Sequence, residues 1–142
     1  MNYIEYNGRD NLEIMQEAKN YNRFLLDLIL SSARKDESLV DFGAGSGTFA
    51  FPVQDRGYRV TCVETDPVLT ASLTDRGLHV VSSIEALEDG SVDYLYTLNV
   101  LEHIEDDDAM AKLWFRKLRW GGGAACLCSG LSVTLFRHGS QG

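Results

Sequence analysis

Three glycines at alternate positions are the sequence feature best suited to chemistry. The segment VDFGAGSGTF at 40–49 places Gly43, Gly45 and Gly47 directly after a short apolar run. Glycines let the backbone approach a ligand closely, and at the beginning of a helix the free N–H groups point at that ligand. A merely tight turn would use the same residues, so the motif alone is a weak indication of a binding site.

An acidic residue at the end of the next apolar run narrows the chemistry. Glu64 closes the run YRVTCVE at 58–64 and follows Gly43 by 21 residues. A carboxylate in this position can accept hydrogen bonds from both hydroxyls of a ribose. Thr48 stands where a dinucleotide-binding motif has its third glycine. The spacing therefore favours a nucleoside-containing cofactor without a pyrophosphate, and a nicotinamide-dependent oxidoreductase remains an alternative.

Other reactive side chains give weaker indications. His103 is a weak catalytic candidate that could take a proton from a nucleophile, although a structural role at a helix start is the better interpretation. The odd number of cysteines and their C-x-C spacing favour buried apolar thiols over a disulfide framework or a zinc site: Cys62, Cys126 and Cys128. The other two histidines have no ligand spacing, so we expect no metal site.

Helical and strand patterns alternate along the chain. The patterns predict helices over 12–34, 47–56, 67–77 and 105–119, and strands over 38–43, 58–64, 78–81 and 91–98. Pro52 should kink or shorten the second of these helices. Strands that alternate with helices at this spacing imply right-handed crossovers. We therefore predict an α/β fold with a mostly parallel sheet and helices on both of its faces.

Composition and charge limit the partners. The chain of 142 residues has room for one domain, and its 44 % hydrophobic and 24 % charged residues are ordinary for a globular protein. A net charge of -8 argues against nucleic-acid binding, which needs clustered cations, so we expect a small-molecule substrate. Charged residues throughout 1–20 argue against a signal peptide. The run FLLDLIL at 24–30 is too short to span a membrane, so we expect a cytoplasmic protein.

The order of several motifs resembles that of a known family. VDFGAGSGTF at 40–49 is followed by VTCVETDP at 60–67, SVDYLYTLNVLEHIEDDDAM at 91–110 and WGGG at 120–123. This series resembles class I (Rossmann-like) S-adenosylmethionine-dependent methyltransferases over about residues 36–123. The resemblance implies a three-layer αβα fold, S-adenosylmethionine as the cofactor, and methyl transfer to an unidentified small-molecule or lipid-like acceptor. A non-catalytic cofactor-binding module or pseudoenzyme is the alternative.

The resemblance also implies which residues bind the cofactor. Those implied at its methionine moiety lie on and before the glycine turn: Asp41, Gly43, Ala44, Gly45 and Gly47. Those implied at its ribose and adenine follow the second and third strands: Glu64, Thr65, Ser83 and Ile84. Those implied to close over the methyl donor follow the fourth strand: Leu98, Asn99 and Val100. Many relatives have an aspartate after the third strand, whereas this chain has serines.

The chain departs from the family pattern after Leu118. Trp120 replaces the proline of a Pro-Gly-Gly turn, AACLCSGLSVTLF is only partly strand-like, and the sequence ends at Gly142. Reading a back-translation of residues 128–142 one nucleotide later gives a segment that resembles some bacterial members. We therefore expect a C-terminally truncated or frameshifted chain that lacks the family's C-terminal strands. The uncovered sheet edge would permit self-association.

Overall fold

The computed structural model describes the backbone of residues 8–98, 107–128 and 132–139. These residues form four α-helices and six strands, with a short 3-10 helix at Ile84–Ala86. The elements in chain order are α1 (Gly8–Leu30), β1 (Ser38–Phe42), α2 (Ala50–Asp55), β2 (Arg59–Val63), α3 (Pro67–Asp75), β3 (His79–Val81), β4 (Val92–Leu98), α4 (Asp107–Lys117), β5 (Leu118–Cys128) and β6 (Ser132–Arg137).

The six strands form a single sheet in the order β3-β2-β1-β4-β5-β6. Strands β1 to β5 are parallel, and β6 runs antiparallel to β5. The order reverses at β1, because β2 lies on one side of it and β4 on the other. This arrangement confirms the predicted Rossmann-like α/β fold. In such sheets the carboxyl ends of the strands at the reversal form a crevice that binds ligands.

Each face of the sheet carries its own apolar core. On one face, Leu26 and Ile29 of α1 and Val53 of α2 pack against alternate strand residues, namely Leu39 of β1 and Tyr94 and Tyr96 of β4. On the other face, Trp114 of α4 packs against the intervening strand residues, namely Val40 and Phe42 of β1 and Leu95 of β4, together with Leu118 of β5. The Trp114 and Phe42 rings meet edge to face, with their centroids 5.1 Å apart. Helices therefore cover both faces, which gives the three layers that we expected.

Helix α2 is shorter than the predicted range 47–56. It contains six residues and begins after Phe49, whose side chain makes no capping hydrogen bond. Pro52 lies in the first turn of α2 and has no N–H to donate. Its neighbours Phe51 and Val53 each donate to the carbonyl oxygen four residues earlier, so the proline leaves out one bond of this series. The helix is accordingly shorter than predicted.

The boundary between α4 and β5 differs from the prediction of a helix over 105–119. Helix α4 ends at Lys117, and Leu118 already pairs with Val92 in the sheet. The next paired residue of β4, Tyr94, pairs with Gly123, so residues 119–122 bulge out of the strand register. A Cβ on Gly122 would lie 2.8 Å from a backbone oxygen. The first three residues of the WGGG segment thus belong to a bulge within a strand rather than to a turn before one.

Strand β6 adds one antiparallel strand to the five parallel ones. Its backbone pairs with β5 from Gly123↔Arg137 to Cys128↔Ser132. The sequence pattern here was only partly strand-like, and the pairing is set by the neighbouring strand rather than by local alternation. Among the described helices, none combines the length and apolar character needed to cross a bilayer.

Candidate functional site

The glycine turn follows β1 at the point where the strand order reverses. Gly43, Gly45 and Gly47 have φ angles of 77°, 60° and 87°, which side-chain-bearing residues rarely adopt. The N–H groups of Gly43 and Ala44 donate to the carbonyl oxygen of Val63 at 2.8 and 3.2 Å. A Cβ on Gly45 would meet nothing within 4 Å. The turn is therefore fixed to β2 on one side and open at Gly45.

The last glycine of the turn serves packing instead. A Cβ on Gly47 would overlap the ring of Phe51 and lie 2.9 Å from the side chain of Leu73. This close approach explains why the third position of the motif must be glycine, independently of any ligand.

Gly47→Ala should lower the free energy of unfolding by at least about 1 kcal/mol more than Gly57→Ala, because overpacking costs about 1–3 kcal/mol. Gly57 is a matched control, since its φ of 93° is similar and an added Cβ there meets nothing within 4 Å. Urea unfolding of both variants measures the difference. If both variants lose the same free energy of unfolding, the clash at Gly47 relaxes without an energetic cost.

Glu64 joins the glycine turn to the beginning of α3. Its Oε1 accepts a hydrogen bond from the N–H of Gly45 at 2.8 Å, and its Oε2 accepts one from the N–H of Asp66 at 2.9 Å. Its own N–H donates to the carbonyl oxygen of Val81 at 3.1 Å, which continues the pairing of β2 with β3. The carboxylate is therefore held at the carboxyl end of β2, beside the open side of the turn.

The loop after Glu64 is fixed by short-range hydrogen bonds. The side chain of Asp66 caps α3 by accepting from the N–H groups of Val68 and Leu69 at 2.8 and 3.2 Å. The hydroxyl of Thr70 donates to the carbonyl oxygen of Glu64 at 3.0 Å. Thr65, which the sequence resemblance implied at the adenine, lies exposed on this ordered loop.

Asp41 is a buried carboxyl group two residues before the turn. It is only 5 % exposed, and strand register places it between Cys62 on β2 and Tyr96 on β4. The hydroxyl of Tyr96 donates to its Oδ2 at 3.0 Å. Burial raises the pKa of Asp41 to about 7, with the Tyr96 hydrogen bond opposing this and the charge of Glu64 adding to it. The group therefore changes its charge near neutral pH.

The neighbours of Asp41 on the adjacent strands are neutral at physiological pH. Burial, followed by the charges of Asp41 and Glu64, raises the pKa of Cys62 to about 12. Burial and Asp41 raise the pKa of Tyr96 well above its usual value. Cys62 and Cys126 are both buried thiols outside any disulfide, as predicted, whereas the side chain of Cys128 lies outside the described part. The Cys62 thiol is thus a packing group rather than a nucleophile.

The segment after β3 contains Ser83 and Ile84, which the sequence resemblance implied at the adenine. The Oγ of Ser83 accepts from the N–H of Glu85 at 3.2 Å and caps the 3-10 helix, while Ser83 itself is exposed. Ile84 is only 3 % exposed and packs in the core beside Phe42 and Val63. A ligand could therefore meet Ser83 directly, but it could meet Ile84 chiefly through the backbone.

The end of β4 is the last described part of the predicted covering segment. Leu98 is half-buried against the core of the α1 face, and the hydroxyl of Thr97 donates to the carbonyl oxygen of Phe42 at 3.1 Å. The other predicted residues of this region lie outside the described residues: Asn99, Val100 and His103. Their roles stay predictions.

Two contacts at the site were missed by the sequence analysis. The pairing of Tyr96 with Asp41 depends on the register between β1 and β4, which no local pattern reveals. The capping role of Asp66 does have a local signal, because an aspartate directly before Pro67 is typical of a helix start. Within residues 8–98, 107–128 and 132–139, no group of three or more His, Cys, Asp or Glu could hold a metal ion.

Comparison with known proteins identifies the family. A family model described as a methyltransferase domain matches residues 40–126, which is more than half of the chain. No curated protein is significantly similar in sequence.

Many solved structures share the fold. Phosphoethanolamine N-methyltransferase 2 of Haemonchus contortus, in complex with S-adenosyl-L-methionine, is 23 % identical with a TM-score of 0.66; the match covers 75 % of this chain and 27 % of that one. A putative S-adenosyl-L-methionine-dependent methyltransferase of Methanococcus maripaludis is 12 % identical with a TM-score of 0.67, covering 89 % and 65 %.

A putative sarcosine dimethylglycine methyltransferase of Galdieria sulphuraria is 21 % identical with a TM-score of 0.62, and the match covers 78 % of this chain and 46 % of that one. The chain thus spans about a quarter of the Haemonchus protein and about half of the Galdieria protein. At these identities the structural likeness shows the fold alone, and the matched family model carries the assignment. The chain belongs to the methyltransferase domain family.

Proposed function

We propose that the chain binds S-adenosylmethionine at the glycine turn and takes part in methyl transfer to a small-molecule or lipid-like acceptor. The observation that carries this proposal is the position of Glu64. Its carboxylate is held by the N–H groups of Gly45 and Asp66, beside the open side of the turn. The family match and the complex of the Haemonchus enzyme with S-adenosyl-L-methionine support the same cofactor.

The residues present fit this cofactor. Each carboxylate oxygen of Glu64 accepts one backbone N–H, and an ionised carboxylate oxygen can accept more than one hydrogen bond. Glu64 therefore keeps acceptor capacity for two ribose hydroxyls. The missing Cβ at Gly45 leaves room for a ligand against the backbone, and the Asp41 carboxyl nearby would favour a cationic ammonium group.

The reaction would need chiefly positioning from the protein. When bound, the cofactor would supply a sulfonium methyl group to an acceptor lone pair, with the carbon–sulfur bond pair kept on sulfur and any acceptor proton released to solvent or to a nearby base. Holding the acceptor in line with that bond can lower the activation barrier of a bimolecular step by about 7–11 kcal/mol. Side chains that hold the two ligands therefore matter more than a general base.

The remaining predicted contacts are part of this proposal. At the adenine we infer roles for the exposed loop residues and the backbone after β3: Thr65, Ser83 and Ile84. Over the methyl donor we infer a covering segment that begins at the end of β4: Leu98, Asn99 and Val100. His103 follows that segment and is a weak candidate for accepting a proton.

A thermal-shift comparison tests the cofactor. S-adenosylmethionine or S-adenosylhomocysteine at a hundredfold excess over its dissociation constant should stabilise the folded chain by about 2.7 kcal/mol through mass action. NAD⁺ should not, because Thr48 replaces the third glycine of a dinucleotide-binding motif. A shift with NAD⁺ and none with either sulfur ligand would replace the proposal by the oxidoreductase alternative.

A further inference from the structure

A groove lies between α1 and the segment that begins α2. It has a volume of about 410 Å³ and is lined by residues of these two elements: Lys19, Asn22, Arg23, Leu26, Thr48, Phe49, Pro52 and Arg56. We call it the α1–α2 groove. The four lining residues of α1 recur at a spacing of three or four, so they form one face of the helix.

The charged residues along the α1–α2 groove are all cationic. Lys19 and Arg23 lie one helical turn apart on α1 and are exposed, and Arg56 faces them from the end of α2. The described lining includes no Asp or Glu, although the chain as a whole carries a net charge of -8. Asp27 holds the guanidinium of Arg56 at 2.7 Å and offsets its charge. The excess positive charge of the groove therefore comes from Lys19 and Arg23.

The same groove has apolar lining. Leu26 is 4 % exposed and belongs to the core of the α1 face, and Phe49 and Pro52 are half-buried on the opposite wall. A small inorganic anion would leave these groups facing water. The combination fits a ligand that has an anionic end and an apolar body, because the anionic end can contact the cations while the apolar body covers the apolar side chains.

The α1–α2 groove also reaches the glycine turn. Thr48 lines the groove and directly follows Gly47, and its hydroxyl lies 3.3 Å from that of Ser46 within the turn. A ligand in the groove would thus extend toward the segment that we assign to the cofactor. Two substrates that react by direct transfer must occupy adjoining sites.

We propose that the α1–α2 groove binds the methyl acceptor by its anionic end, and that this acceptor is a small amphipathic molecule with a phosphate or carboxylate group. The guanidinium of Arg23 is the main anchor, because its planar donors match either group in a bidentate arrangement. Lys19 adds a second cation one turn away. This inference rests on the proposed function, since it identifies the acceptor side of the same methyltransferase site.

Titration calorimetry with octyl phosphate and with octanoate tests the groove and distinguishes the two anionic groups. At least one of them should bind, inorganic phosphate should bind more weakly, and Arg23→Glu should reduce the affinity by about tenfold or more. Lys112→Glu is the matched control. It makes the same change of net charge on an exposed residue of α4, on the opposite face of the sheet, and should change the affinity less than about twofold.

Four outcomes would overturn the inference: no binding of either amphiphile, equally tight binding of inorganic phosphate, no effect of Arg23→Glu, or equal losses in both variants. S-adenosylhomocysteine is titrated into the same samples. If the parent and Arg23→Glu both bind S-adenosylhomocysteine while the amphiphile titrations fail, the assignment of the groove is wrong and the proposed function is unaffected. If an amphiphile binds but S-adenosylhomocysteine does not, the proposed function is wrong, and so is the assignment of the groove to a methyl acceptor.

Discussion

Raising the pH from about 4 to about 8 is expected to lower the free energy of unfolding by about 4 kcal/mol through the ionisation of the Asp41 carboxyl. Burial, opposed by the hydrogen bond from Tyr96 and assisted by Glu64, raises its pKa from 3.8 to about 7. The folded chain therefore keeps a proton that the unfolded chain has already released above about pH 4. Stability from this group is full below the unfolded pKa and is lost as the pH rises to the folded pKa.

Urea unfolding of the parent and of Asp41→Asn over this pH range isolates the effect. The free energy of unfolding of the variant minus that of the parent should rise with pH and level off above about pH 7. The carbon chemical shift of the Asp41 carboxyl gives the folded pKa directly, even if the variant folds poorly. A flat difference and a carboxyl that titrates near pH 4 would contradict this expectation.

Asp93→Asn provides a control of opposite sign. Burial raises the pKa of Asp93, but hydrogen bonds from Ser38 and Arg119 outweigh it and hold the pKa below its usual value. Stability from Asp93 is therefore present above the unfolded pKa and is lost as the pH falls toward the folded pKa. The free energy of unfolding of this variant minus that of the parent should therefore rise on acidification, whereas for Asp41→Asn the same quantity rises with increasing pH.

Glu64→Ala is expected to weaken the binding of S-adenosylhomocysteine about ten- to a hundredfold. The substitution removes a charged acceptor for the ribose hydroxyls, which is worth about 1.5–3 kcal/mol. It also removes the acceptors of the N–H groups of Gly45 and Asp66, so the turn loses its tie to α3. Titration calorimetry on the parent and the variant measures the loss.

Asp66→Ala separates these two effects. It removes the cap of α3 and disturbs the same loop without touching the proposed ribose acceptor, at a stability cost of about 0.5–2 kcal/mol. It should therefore lower the melting temperature more clearly than the affinity. Equal affinity losses in both variants would mean that Glu64 acts by ordering the loop, and parent-like binding by Glu64→Ala would remove its assigned role.

The fold could be predicted where local patterns are strong. The apolar run of β1 ends at Gly43 because the chain must turn there, and the alternation of strands with helices fixes a parallel sheet. The boundary after Lys117 could not be predicted, since Leu118 continues the helical spacing of α4 and only its pairing with Val92 places it in a strand. Sheet pairing overrides local periodicity at such positions.

The residues of the candidate site also fall into those with a local sequence signal and those whose role depends on tertiary packing. Gly45 and Glu64 could be identified because backbone conformation and residue type carry their own signals. The contact of Tyr96 with Asp41 depends on strand register, and the burial of Ile84 depends on what packs above it. The α1–α2 groove was not predicted either, because Arg23 and Arg56 are distant in sequence and line one groove only when α1 and α2 pack on the same face of the sheet.

The most direct test of the proposed cofactor site is a titration of ¹⁵N-labelled protein with S-adenosylhomocysteine, followed by amide resonances. The largest shifts are expected at the N–H groups of Gly43, Gly45 and Asp66, which lie on the turn and on the loop clamped by Glu64. Amides at the opposite end of the sheet, such as that of Ser38, should stay in place. Saturable shifts confined to other residues, or none at all, would contradict the assignment.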